Sequence, residues 1–257
     1  MAMKSSYKTI QDRRDQLLEL LTEKDRISVK EISASLAVSE ITVRRDLTAL
    51  EKMGLLLREH GSAKLIQKDN GQQMNKELES LKCLIAQKAA TFVKEGDTLF
   101  INTSSTALAA IKKLEEKRVT IVTNNVKVAN IDHNPNSTVI LSGGEIRFPK
   151  EALVGDIAIE SFSKMSSDIS IIGCSGLSLE NGITTPVLHE AKINSLIIER
   201  TRGPVIVVAD YRKIGVSSNF TSGSIKDIDY LITDTFAPPE VLKEIEKVGV
   251  QVIQIDS

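Results

Sequence analysis

Arg44 and Arg45 stand side by side, a few residues after Ser39, Glu40 and Thr42. Guanidinium groups donate in pairs to guanine O6 and N7, and equally well to phosphate oxygens. Hydroxyls such as those of Ser39 and Thr42 donate to phosphate near the positive start of a helix. Downstream, Arg58 and His60 lead into a turn at Gly61, from which they could reach a nucleic-acid backbone or a minor groove. A second group is contiguous: Asn102, Thr103, Ser104, Ser105 and Thr106 follow an apolar run. Hydroxyls and backbone amides at a strand-to-helix junction form an anion site. Each group also has a plainer reading. The arginines would serve as a solvated helix face paired with Asp46 or Glu40, and the hydroxyl run as an ordinary helix cap.

Local patterning says what must position these residues. Leu17, Leu18, Leu20 and Leu21 give a first helix an apolar side, and Ile27 marks a brief extended piece. Val29, Ile32 and Leu36 fall at i, i+3, i+7, one face of a short second helix. Ala37 and Val38 make a turn, Ser39 suits the next N-cap, and a third helix runs from Glu40 to about Met53, with Gly54 as its stop. There Val43, Leu47 and Leu50 face inward, leaving Thr42, Arg45 and Ala49 on the opposite side, flanked by Glu40, Arg44 and Thr48. Two extended pieces around residues 60–62 complete a hairpin-like wing. The expectation is a winged helix-turn-helix over residues 1–66, its helix-turn-helix at about 27–46. In such a motif the third helix enters the major groove of double-stranded DNA. That context favours recognition over a solvated face for Arg44 and Arg45.

Residues 67–80 are polar and read as a linker into a helix expected over about 76–93. Beyond it, strand-like runs at 98–102, 119–123, 138–142, 169–174, 204–210, 229–233 and 250–255 alternate with helical patterns at 105–116, 152–165, 186–200 and 239–248. Continuous Val/Ile runs alternating with helices imply a parallel sheet covered on both faces. The expected class is therefore α/β, a winged head followed by a Rossmann-like parallel-sheet domain at 81–257.

Charge follows the same division. The whole chain of 257 residues carries a net −1, which argues against DNA binding by bulk charge. Residues 1–68 hold 13 basic against 10 acidic residues, a net of +3, and the remainder nets −4. Trp is absent and aromatics make up 4%, so single-strand stacking platforms are not expected. No run approaches the ~20 apolar residues of a membrane span, and residues 1–10 lack a signal-peptide pattern, so a cytoplasmic protein with no membrane partner is expected. Cys83 and Cys174 lie at no metal-ligand spacing and are expected as buried small hydrophobes. No metal or cofactor is expected. His133 is expected exposed, and His189 packed within a helix.

Three segments carry a family resemblance: Ser39-Glu-Ile-Thr-Val-Arg-Arg-Asp-Leu47, Leu50-Glu-Lys-Met-Gly54 and Arg58-Glu-His-Gly-Ser-Ala63. They resemble the N-terminal domain of DeoR-type bacterial transcription regulators, departing at Ser62, where the family usually has a second glycine. Phe100-Ile-Asn-Thr-Ser-Ser-Thr106 is similar to that family's strand-to-helix loop, with Asn102 for the usual Asp and Ser104 for the usual Gly. Further matching pieces are Thr123-Asn124, Ser142-Gly-Gly-Glu145, Gly182-Ile-Thr-Thr185 with Glu190, and Asp210-Tyr-Arg-Lys213. The resemblance implies a C-terminal domain similar to ribose-5-phosphate isomerase that binds a phosphorylated sugar and drives assembly of a homo-dimer or tetramer. Asn124, Gly144, Glu190, Asp210 and Lys213 then join residues 102–106 as effector-site candidates. Lys213 suits phosphate as a point charge, Glu190 and Asp210 suit sugar hydroxyls, and Gly144 also suits a tight turn.

The function so implied is a sequence-specific transcriptional repressor of sugar metabolism, controlled by a phosphorylated sugar. The alternative is a sugar-phosphate isomerase with a DNA-binding appendage, using Glu145, Glu190 or Asp210 as base. A purely structural DNA-packaging protein is disfavoured by the hydroxyl-rich loop and the low positive charge.

Overall fold

The computed structural model describes residues 13–256 apart from 15, 19, 22–23, 25, 53–55, 60, 66–69 and 149. The expected helix stop at Gly54, the wing residue His60 and the first residues of the expected linker lie outside the described set. The chain divides into two compact units, Met1–Glu79 and Ser80–Ser257.

In the first unit, β1 (Arg26–Ser28) leads directly into α1 (Val29–Leu36). Ser28 begins that helix with a reciprocal cap. Its hydroxyl accepts from the Glu31 amide at 3.2 Å, and its own amide donates to Glu31 Oε2 at 2.9 Å. Ala37, in the left-handed region at φ 51°, ends it. After a short turn, α2 (Glu40–Lys52) begins, with Ser39 Oγ accepting from the Thr42 amide at 3.3 Å. β2 (Leu56–Glu59) and β3 (Ser62–Leu65) form the wing, and β3 lies between β1 and β2 in an antiparallel sheet. Leu17, Leu21, Ile32, Val43, Leu47, Leu50 and Leu56 close one apolar core.

Residues 70–80, expected as linker, are helical: α3 (Asn70–Ala90) begins before the expected start and ends earlier than expected. The Gln, Glu, Lys and Met that made the stretch look loop-like are also strong helix formers, and a polar composition suits a solvated helix.

All seven expected strands join one parallel sheet in the second unit. They are β4 (Thr98–Ile101), β5 (Thr120–Thr123), β6 (Thr138–Leu141), β9 (Ile169–Gly173), β12 (Val205–Val208), β14 (Tyr230–Asp234) and β15 (Gln251–Ile255). Their spatial order is β15-β14-β12-β9-β4-β5-β6. Alternate residues of each strand face two cores. Phe100, Val122, Ile172 and Val207 pack on one side with α5 (Asp156–Lys164), α6 (Leu188–Glu199) and α7 (Pro239–Lys247). Leu99, Ile101, Ile121 and Ile171 pack on the other, against the Ile85 side of α3 and Ala107 and Ile111 of α4 (Ser105–Ile111). The chain winds outward from β4 to β6, then restarts at β9 on the other flank of β4. That reversal is the switch point at which doubly wound sheets open a crevice beyond their strand ends.

Sequence periodicity missed the smaller antiparallel pieces. Residues 152–165 are not one helix: Gly155, at φ 91°, separates β8 (Ala152–Val154) from α5, and β8 pairs with β7 (Glu145–Arg147). Gly155 alone supplies the positive φ that bends the chain there. Likewise α4 stops at Ile111, short of the expected end. β10 (Gly176–Ser178), β11 (Gly182–Thr185) and β13 (Phe220–Gly223) form a separate antiparallel sheet.

Candidate functional sites on the two units

On the first unit the reading helix is α2. Its three consecutive charges do different jobs. Arg44 is exposed and donates to Glu40 Oε2 at 2.9 Å, one turn earlier. Arg45 is exposed, and among the described residues no carboxylate pairs with it. Asp46 is buried, at 3% exposure, and accepts from Arg13 Nε at 2.6 Å and Arg14 Nε at 3.2 Å. That pair of bonds ties the N-terminal helical residues to α2. Ser39 Oγ and Thr42 Oγ1 lie 2.9 Å apart at the helix start, with Ser39 exposed and Thr42 half-buried. Arg58, on β2, donates through Nη1 to Thr48 Oγ1 at 2.8 Å, and its amide donates to Glu51 Oε1 at 3.1 Å. It therefore braces the wing against α2 while remaining exposed.

On the second unit a cavity of ≈ 330 Å³ opens at the switch point. Its floor is the expected loop: Asn102 to Thr106 all line it, as do Glu190, Asp210 and Lys213. Lys127 follows β5 and Lys213 follows β12. Between those strands lie β4 and β9, so the cavity spans three strand spacings, roughly 14 Å.

Asn102 holds the floor together. Its Nδ2 donates to the Gly173 carbonyl at 2.8 Å and to Asn194 Oδ1 at 3.0 Å. Its Oδ1 accepts from the Gly173 amide at 3.0 Å and the Ser104 amide at 3.2 Å. An aspartate could not make the two donations, so asparagine is what this arrangement requires. Ser104 caps α4 by accepting from the Ala107 amide at 3.3 Å, and its hydroxyl proton remains to donate. It also fills the space over Gly173, where an added Cβ would lie 2.0 Å from Ser104 Oγ.

The two carboxylates are engaged. Asp210 grips Arg212 in a fork, Oδ1 to Nε at 2.7 Å and Oδ2 to Nη2 at 3.0 Å. Burial pushes the Asp210 carboxyl up, but hydrogen bonds and charge from Arg212, with Lys213, overcome this and hold it below the usual range. Asp234 braces the same turn by accepting from the Tyr211 amide at 2.8 Å, and burial holds its carboxyl above the usual range. Glu190 Oε2 accepts from Lys150 Nζ at 2.8 Å and Thr185 Oγ1 at 3.0 Å. Among the described residues, no donor reaches Glu190 Oε1.

Two expected residues lie elsewhere. Asn124 does not line the cavity: its Nδ2 donates to the Leu153 carbonyl at 3.2 Å, stapling the end of β5 to β8. Asn125 takes its place in the wall. Gly144 serves the turn into β7. It has φ 108°, and an added Cβ would meet the Val154 carbonyl oxygen at 2.3 Å. Neither cysteine is fully buried. Cys83 is exposed, on the solvated side of α3, and Cys174 is half-buried in the cavity wall. Burial pushes the Cys174 thiol up to about 12, so it stays protonated at neutral pH. His189 is exposed rather than packed, whereas His133 is half-buried, with Nδ1 2.8 Å from the Ile131 carbonyl. Lys82, Lys127, Lys150 and Arg212 are cavity residues that sequence reasoning missed. Only Arg212 carried a signal, its place beside Lys213.

The cavity thus gathers five cationic side chains against two carboxylates, over a hydroxyl-lined helix start. It suits a small anion carrying hydroxyl groups. Among the described residues, no cluster suits a metal ion, and no helix is long and apolar enough to cross a membrane.

Comparison with known proteins places both units. Residues 13–69 match the DeoR-like helix-turn-helix domain, and residues 78–235 match the DeoR C terminal sensor domain. The chain is 33% identical over 238 residues to the glycerol-3-phosphate regulon repressor of Escherichia coli, covering 89% of this chain and 92% of that one. It is 31% identical over 248 residues to the HTH-type transcriptional regulator GolR of Listeria innocua, covering 94% and 97%. Among solved structures, ribose 5-phosphate isomerase A of Methanocaldococcus jannaschii aligns over 52% of this chain and 54% of that one, at 16% identity and a TM-score of 0.36. With a winged helix-turn-helix ahead of a sensor domain, the chain belongs to the DeoR family of DNA-binding transcriptional regulators.

Proposed function

We propose that this regulator is a repressor whose hold on operator DNA is set by a phosphorylated sugar or polyol bound in the switch-point cavity. The observation that carries the reading is the convergence of Lys82, Lys127, Lys150, Arg212 and Lys213 on the Ser104–Thr106 hydroxyls. Phosphate would take the first-turn amides of α4, the Ser and Thr hydroxyls, and Arg212 or Lys213. Glu190 Oε1 would accept a sugar hydroxyl. Asp210 acts differently from a direct ligand, because both its oxygens already hold Arg212 in place. The names of the relatives support this reading, one being a glycerol-3-phosphate regulon repressor.

DNA contact is assigned to α2 and the wing. Arg45 reaches base edges, Ser39, Thr42 and Arg44 reach phosphate, and Arg58 with His60 meets the backbone. Glu40 orients Arg44 rather than touching DNA. Two heads brought together in a homo-oligomer would bind half-sites about 10 base pairs apart or a multiple of that. Regulation rather than turnover is the better reading of the cavity. Glu190 and Asp210 are both committed to cations, and Glu145 lies outside the cavity on β7.

A thermal-shift screen of sugar and polyol phosphates, repeated with operator DNA, tests the proposal. A true effector at 100 times its Kd adds about 2.7 kcal/mol to native stability. It must also change operator affinity, because a ligand that binds both states equally shifts nothing. Stabilisation without any change in operator affinity would overturn the regulatory reading.

A further inference from the structure

Ile41 is 69% exposed, and among the first-unit residues whose side chains are described it is the only large hydrophobic one left in solvent. Folding does not account for it. Val43, Leu47 and Leu50 take the inward face of α2 at 2% exposure or less. At 100° per residue, Ile41 lies about 160° around the helix from Val43, opposite the core. Nor does helix propensity explain it, because a β-branched residue is a poorer helix former than Lys, Gln or Ala at a solvated position.

Its neighbours define what it faces. Ile41 precedes Arg45 by one turn on the same outward stripe, and Ser39 and Thr42 present hydroxyls beside it. Arg44 is drawn aside to Glu40. The outermost surface at the start of α2 is therefore one apolar branch next to one cation that has no carboxylate partner among the described residues. In a major groove, the base edges offer hydrogen-bond donors and acceptors and one methyl group, the C5-methyl of thymine. That methyl is the group an isoleucine there is suited to read.

We propose that Ile41 is a specificity-determining residue that reads a thymine through its C5-methyl group. Side chains one turn apart stand about 6 Å apart, and base steps rise 3.4 Å, so this thymine lies one or two steps from the base contacted by Arg45. Arg45 and Ile41 together would then specify neighbouring positions by different physics, one by paired hydrogen bonds and one by apolar contact.

The test uses the full-length protein and an operator selected from random duplex DNA. Each thymine is replaced in turn by deoxyuridine, which keeps the base pair and loses only the methyl. At one thymine per recognition helix, wild-type affinity should fall about fourfold, the worth of one buried methyl. Ile41→Ala should bind more weakly than wild type and be indifferent to that same replacement, with an unchanged salt dependence. Indifference of the wild type to every thymine methyl would overturn the proposal, as would an equal loss in both proteins. A change in oligomeric state on Ile41→Ala, without methyl coupling, would assign the side chain to a second copy of the chain and overturn it too.

Discussion

The head and the body present their charged groups in opposite ways. On the head, most of the groups offered to a partner lie along a few turns of α2 and point outward, supported mainly by that helix, with Arg58 of the wing held against it. In the body they come from the ends of β5 and β12, from α3 and α6 and from the loop before β8, and line one cavity. There two of the cations are set by a carboxylate behind them: Arg212 by Asp210, and Lys150 by Glu190. Losing a contact residue on the head should remove one contact. In the body, losing a buried brace should disturb a group that the ligand itself touches.

Asp46 is where that contrast faces its hardest test, because it is a buried brace inside the head. Asp46→Ala leaves Arg13 and Arg14 facing an emptied site, and losing one partner of a buried charge cluster costs about 3–5 kcal/mol. Amides of α1 and α2 should lose protection from hydrogen exchange and operator binding should vanish. Amides of β4, β9 and β12 should stay protected. Loss of protection in both units would show that they do not fold separately.

Removing an outward group should do less. Arg45→Ala is expected to cost about 1–3 kcal/mol of operator affinity with no change in melting temperature. A loss confined to one base position marks a base contact, whereas a uniform loss with a shallower salt dependence marks phosphate. Arg44→Ala, already paired to Glu40, should cost less in the same titration.

In the body, Gly173→Ala sets a Cβ against Ser104. Overpacking of this kind costs about 1–3 kcal/mol, and it should move the cavity floor and blunt the effector response. Adding Ser104→Gly in the same chain should recover most of the lost stability, read by urea unfolding, because glycine replaces a serine cap at a cost of only about a few tenths of a kcal/mol. Failure of that rescue would show that the floor is not positioned by this contact.

The smallest effect is a dependence on pH. Asp210 has a lowered pKa, so its stabilising contribution is present at neutral pH and is lost as pH falls through that lowered value, below about pH 4. Asp234, raised by burial, acts in the opposite sense, and its protonation on acidification favours the folded body. Urea unfolding from pH 6 to pH 3 should show wild type and Asp210→Asn converging at the acid end.

The same contrast explains what was legible in the sequence. The outward face of α2 could be read because helical period alone orders its residues, although Ile41 passed unremarked between two polar neighbours. The seven sheet strands were visible as continuous Val and Ile runs. β8 was not, because Ala152 to Val154 runs without a break into a helical pattern, and only a positive φ at Gly155 divides them. The loop at 102–106 was found because it is contiguous. Lys82, Lys127 and Lys150 were not, because nothing short of the sheet order brings the end of β5 and the loop before β8 beside α3. Asn124 and Asn125 show the limit most closely. Both are buried at the same strand end, and only the hydrogen bond to Leu153 decides which one turns away from the cavity.

Operator binding measured by fluorescence anisotropy, with and without a sugar or polyol phosphate that stabilises the protein, tests the central claim most directly. The wild type should change its operator Kd at least tenfold on saturation with that compound. Lys213→Ala should need markedly more of the compound for the same change while binding operator normally without it. Identical effector titrations for the two proteins, or an operator Kd unmoved by every compound that stabilises the body, would contradict the account.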